Sequence, residues 1–179
     1  MSNVMTEVSV LTRTEPMRSI SFREAHDLTS RGADRLLGFT GLGRACRRWE
    51  ENGVPPHVDT LMAYVDRYGP EVAEEIATKR DAQIKAAFDA KPGTKGYIHA
   101  VPAEEFKVPA MAIFNWRSSL GLPQRSIDRL FGFTSKGRAC RLWEVKGAPP
   151  YVEVFKAYVD KYGLDLADEM AKARESDEG

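Results

Sequence analysis

The side chains best placed for chemistry are arginines, and they come in two matched sets. Residues 38–56 read GFTGLGRACRRWEENGVPP and residues 132–150 read GFTSKGRACRLWEVKGAPP. A guanidinium keeps its charge at any physiological pH and offers a rigid fork of N–H donors. It suits bidentate pairing with guanine O6 and N7, or anchoring of a phosphate. Arg44, Arg47 and Arg48 are three and four residues apart, so on a helix they share one face, while Ala45, Cys46 and Trp49 share the other. In the second set the outward residues are Arg138 and Arg141. Leu142 replaces the third arginine and Lys136 adds a charge just ahead. Residues 31–48 hold five arginines against Asp34 alone, and residues 125–142 hold five basic side chains against Asp128. The whole chain balances 26 basic with 26 acidic residues, because from Leu164 onward six acids face two bases. Charge of one sign is collected at the repeat, which speaks of partners in a way that a net count cannot.

These residues must be held by a duplicated unit. With an offset of 94, 30 of the 61 pairs over residues 17–77 are identical, so the chain is an internal duplication. Each copy has helical periodicity. A first helix carrying Met17, Ile20 and Phe22, or Ile113, Phe114 and Trp116, ends at Asp27 or Gly121. A second opens at Thr29, a capping hydroxyl, or at Pro123, and breaks at Gly38 or Gly132. A third covers roughly 43–52 and 137–146. Two prolines launch a fourth, whose stripe is Leu61, Tyr64, Val65 and Tyr68, or Phe155, Tyr158, Val159 and Tyr162. It stops at Gly69 or Gly163. An acidic fifth helix follows, from 70 to about 90 in the first copy. Strand-like alternation occurs only in GYIHAVP, 96–102. The expected fold is all-α: two tandem four-to-five-helix domains at 16–90 and 109–179, the second ending in an acidic tail. A flexible tail covers 1–15, and a connector containing Pro and Gly covers 91–108.

Several function classes find no support. No apolar run approaches the length of a membrane span, and the N-terminus lacks the pattern of a signal peptide, so a cytoplasmic protein without membrane partners is expected. Cys46 and Cys140 occupy equivalent helical positions and read as small buried groups. His26, His57 and His99 do not stand at ligand spacing from them, so neither metal nor cofactor is expected. No nucleophile lies near a histidine and GLGRAC is not a phosphate-binding loop, so catalysis is set aside. Trp49 and Trp143 share the inward stripe with the cysteines and read as core.

The residues R-x-x-x-x-L, DRLLGFT and RACRRWE, with their second copies, resemble the helix-turn-helix domain of lambda-repressor and Cro-like regulators, the XRE type. The likeness covers about 17–69 and 111–163. It implies two repressor-like helix-turn-helix domains in tandem, in a cytoplasmic or nucleoid-associated protein of phage or mobile-element kind. It further implies that the third helix enters the DNA major groove with its N-terminal residues on base edges. By position, the implied DNA-binding residues are Gly41, Leu42, Gly43, Arg44, Arg47 and Arg48, and Ser135, Lys136, Gly137, Arg138 and Arg141. Arg44 and Arg138 are expected nearest the bases. Arg47, Arg48 and Arg141 are left between bases and phosphates. The family's pairing of a first-helix arginine with a third-helix glutamate falls on Arg23 with Glu50 and on Arg117 with Glu144, in a structural role.

Two functions follow from this reading. In the first, the chain is a transcription regulator bound to double-stranded DNA. Its two recognition helices act as a pseudo-dimer on related half-sites about 34 Å apart. A homodimer would read four half-sites, and the acidic helices would contact RNA polymerase or another regulator. In the second, the same fold serves protein contact, as an antirepressor or scaffold of a mobile element.

Overall fold

The structure, a computed structural model, describes residues 15–89 and 106–177. Among them are ten helices and no strand. The first copy supplies α1 (Met17–Ala25), α2 (Ser30–Leu37), α3 (Arg44–Asn52), α4 (Pro56–Tyr68) and α5 (Glu71–Asp89). The second supplies α6 (Ala110–Ser119), α7 (Gln124–Phe131), α8 (Arg138–Lys146), α9 (Pro150–Tyr162) and α10 (Asp165–Asp177). The tail expected at 1–15 lies almost wholly outside the described residues. So do the strand-like 96–102 and all of the connector except 106–108.

Local chemistry sets the boundaries. The Thr29 hydroxyl accepts a hydrogen bond from the Gly32 amide at 3.0 Å, capping α2; α7 instead follows the extended Pro123 and has no side-chain cap. Pro56 and Pro150 stand at the first position of α4 and α9, where a missing N–H breaks no helical hydrogen bond. After α2 and α7 the chain turns sharply at Gly38 and Gly132, with φ of 88° and 101°. A Cβ at Gly38 would fall 2.6 Å from the Tyr151 backbone, and one at Gly132 2.8 Å from that of Pro56. Both glycines are therefore needed twice over, for backbone conformation and for close approach to the opposite copy.

The core is continuous from one copy to the other. Its centre is α4 beside α9, with equivalent residues facing each other along their length. His57 lies 5.6 Å from Tyr151, Tyr64 lies 5.7 Å from Tyr158, and Tyr68 lies 4.1 Å from Tyr162. Such a succession of equivalent pairs means that the helices run parallel about a pseudo-two-fold axis. The Tyr64 hydroxyl donates to the Gly163 carbonyl at 2.9 Å, and the Tyr158 hydroxyl donates to the Gly69 carbonyl at 2.6 Å. Each fully buried phenol thus places its polar end on the other copy's α4–α5 or α9–α10 junction. The fifth helices cross over as well: α5 packs on α9, and α10 packs on α4. Burying apolar side chains of this size contributes about 1.5–3 kcal/mol each, and the rings of Tyr64 and Tyr158 pack against each other across the copies.

Candidate nucleic-acid interface

The α2–turn–α3 unit is held by one buried carboxylate. Asp34 Oδ2 accepts the Gly43 and Ala45 amides at 2.7 and 3.2 Å, and Oδ1 accepts the Cys46 amide at 2.8 Å. Asp128 does the same for Gly137, Ala139 and Cys140 at 2.8, 3.2 and 2.8 Å. Three of the amides that a helix start leaves unpaired are satisfied, and negative charge sits at the positive end of the helix dipole. Burial pushes the Asp34 carboxyl above the usual carboxylate range against the pull of these amides. In the sequence Asp34 and Asp128 stand out only as charges; the signal for their role is a lone acid repeated at the same place in a basic stretch.

The turn itself carries backbone strain. Leu42 and Lys136 have φ of 53° and 52°, and Gly43 and Gly137 follow at 92° and 98°. Two successive left-handed residues deliver the glycine amide to the aspartate. The two glycines are buried against the start of α2 and α7, behind the surface rather than on it. Helices α3 and α8 consequently start at Arg44 and Arg138. Gly41 is half-buried; its counterpart Ser135 donates its hydroxyl to Asp128 and accepts the Ala139 amide at 3.3 Å.

The ion pairs anchor the far end of the same helices. Arg23 Nε lies 2.6 Å from Glu50 Oε1, and Arg117 Nε bonds Glu144 Oε1. Each arginine also donates to a carbonyl, that of Leu28 at 3.2 Å or Leu122 at 2.8 Å. Gln124 Nε2 donates to Glu144 at 2.5 Å. Burial works to raise the Glu144 carboxyl, but its bonds from Arg117 and Gln124 prevail and hold it below the usual range.

The remaining basic side chains divide sharply. Arg35 bonds Asp81 and Glu74 of α5, both at 2.7 Å, and Arg129 bonds Glu175 at 2.5 Å and Asp168 at 2.9 Å on α10. These two arginines therefore serve the fold, and the acidic helices spend part of their charge internally. Arg31, Arg44, Arg47 and Arg48, and Arg125, Lys136, Arg138 and Arg141, are exposed, and their side chains form no hydrogen bond or ion pair with the described residues. In the second copy Arg125, Lys136, Arg138 and Arg141 share a hollow of about 320 Å³ that no carboxylate lines. Leu142 and Val145 on α8 are 51% and 70% exposed. Trp49 and Trp143 are buried, edge-on to Phe39 at 5.0 Å and Phe133 at 5.4 Å.

The two turns lie at one end of the molecule. Phe39 stacks on Tyr151 at 4.9 Å and Phe133 stacks on His57 at 4.5 Å, while His57 and Tyr151 are neighbours at the N-terminal ends of α4 and α9. The starts of α3 and α8, a few residues on, therefore flank the pseudo-two-fold axis at the same end. Compared with family models, curated proteins and solved structures, the chain matches none of them.

Proposed function

We propose that the chain is a sequence-specific regulator that binds double-stranded DNA with α3 and α8, each the second helix of a helix-turn-helix unit, as a pseudo-dimer within one polypeptide. The observation that carries this reading is the pairing of the two turns at one end of the α4–α9 axis, each followed by exposed arginines whose side chains have no partner among the described residues. A two-fold arrangement of such helices matches the symmetry of a duplex read at two half-sites. Fusion makes the second contact intramolecular, so weak individual units bind tightly together. The arginines offer forks to guanine edges and point charges to phosphates. The differences Gly41/Ser135, Leu42/Lys136 and Arg48/Leu142 lead to half-sites that are related but not identical.

A second reading, protein contact through the same end, is favoured by Leu142 and Val145, which lie exposed beside Arg138 and Arg141. Selection of binding sites from random double-stranded DNA separates the two. The intact chain is compared with a variant carrying Arg44→Ala and Arg138→Ala. Enrichment of a two-part motif of about 20 base pairs, lost in the variant, is the expected result. Absence of enrichment at low salt would leave protein contact as the function.

A further inference from the structure

The first copy contains a hollow of about 330 Å³ between α2, α5 and the turn before α3, with Phe106 at one wall. This volume lies at the small end of ligand sites. Phe39, Leu42, Ile84 and Phe106 provide apolar walls, and Arg31, Arg35 and Arg80 provide three cations. The two carboxylates in the lining are already used: Asp81 by Arg35, and Asp34 by the α3 amides. Arg31 is exposed and has no partner among the described residues. Arg80 is only 6% exposed, donates through Nη2 to the Arg35 carbonyl, and has no carboxylate partner there. Its Nη1 is buried without an acceptor. Burial lowers its pKa, as it does that of its equivalent Arg174.

The second copy differs at this position. Arg174, the equivalent of Arg80, donates through Nη1 to Thr60 Oγ1 at 3.1 Å and through Nη2 to the Arg129 carbonyl at 3.2 Å. The residue equivalent to Thr60 is Val154, whose side chain has no acceptor. The first copy thus keeps a buried arginine that the described residues leave incompletely satisfied, beside a partly apolar hollow where Arg31 has no partner among them.

We infer that this hollow binds a small organic anion, a carboxylate on an aromatic or aliphatic body, with the carboxylate compensating Arg31 and Arg80 and the body against Phe39, Leu42, Ile84 and Phe106. An occupant there touches Asp34 and Leu42, the residues that set the start of α3, so binding tightens or loosens that start. The binding site itself does not depend on the DNA reading; its use as an effector site for DNA release or capture rests on that reading.

The test uses 2-naphthoate with the full-length chain, followed by amide chemical shifts and calorimetry. Expected is saturable binding with Kd of about 0.05–1 mM, the range open to a ligand of about a dozen heavy atoms. Shifts should be confined to residues 31–46, 80–84 and 106. The neutral 2-naphthamide should bind at least about ten-fold more weakly, having lost the charge-assisted contact. Arg31→Ala should weaken naphthoate by a similar factor, and Ile84→Trp should fill the hollow and abolish it. Because these shifts are read on the unaltered protein, a variant that fails to fold does not decide the matter. Shifts scattered over the surface, equal binding of the amide, or no saturation by 10-fold above that range would overturn the site. Naphthoate binding in a protein that enriches no DNA would sink the DNA reading alone.

Discussion

Tyr68 and Tyr162 lie face to face, ring centroids 4.1 Å apart and 7° from parallel, at the C-terminal ends of α4 and α9. The stack closes a column that begins with His57 and Tyr151. It makes the two copies one folding unit, whatever the connector between them does. One cooperative transition in urea is expected, reported alike by tryptophan fluorescence and circular dichroism. Tyr158→Phe, which strands the Gly69 carbonyl, should lower stability by about 1–2 kcal/mol without splitting that transition. Two separate transitions, one per copy, would refute the shared core.

Replacing Asp34 with Ala removes the acceptor of three amides at the start of α3. Each amide left buried and unpaired costs about 1–3 kcal/mol, so a loss of about 3 kcal/mol or more is expected, with faster hydrogen exchange at Gly43 and Cys46. Asp128→Ala should behave likewise at Gly137 and Cys140. A loss below about 1 kcal/mol would mean that water replaces the carboxylate readily.

The two ion pairs differ in depth: the Glu144 side chain is 8% exposed and that of Glu50 20%. Glu144→Gln should therefore cost more, about 3 kcal/mol, with Glu50→Gln costing about half of that. Because the folded-state carboxyl of Glu144 is held below its ordinary value of 4.5, its contribution is complete above that pH. It is lost as pH falls through the lower, folded-state value. The stability of the natural chain should fall on acidification below about pH 4.5, and that of Glu144→Gln should fall less steeply. Parallel curves in denaturation series from pH 6 to 3 would remove Glu144 from the account.

Both cysteines are buried. Burial, reinforced by the charge of Glu144, pushes the Cys140 thiol up to about 12, and burial likewise raises that of Cys46. Only the thiolate attacks a disulfide reagent. An aromatic disulfide reagent at pH 8 should find no reactive thiol in the folded chain and two in denaturant. Rapid reaction of the native protein would contradict the packing.

If five phosphates are neutralised, log affinity for DNA should fall against log salt with a slope of about −4.5. Replacing a phosphate anchor with alanine should flatten the slope by about 0.9, whereas replacing a base-reading arginine should relax sequence preference. Applying both readouts to Arg44, Arg47, Arg48, Arg138 and Arg141 assigns each one. A slope that no variant changes would place DNA elsewhere on the molecule.

The ten helices were legible in the sequence because their causes are local. Apolar residues three and four apart, Thr29 as a cap, prolines at first positions and glycines after last turns act within one helix. The outward face of α3 was legible for the same reason: Arg44, Arg47 and Arg48 need only helical geometry to come together. The pairings Arg23–Glu50 and Arg117–Glu144 came through family resemblance, not through spacing. Other features depend on residues far apart in the chain. That Arg35 and Arg129 bond α5 and α10 while Arg31 and Arg125 have no partner among the described residues depends on which helix packs alongside. That Asp34 anchors α3 depends on a turn with two left-handed residues. Local sequence is enough to specify a duplicated helical unit with a basic third helix. The shared core about the α4–α9 axis, which brings both turns to one end, arises from packing between the copies. Burial of Tyr64, Tyr158 and their neighbours is satisfied between copies, and no periodicity within one copy encodes the partner that completes it.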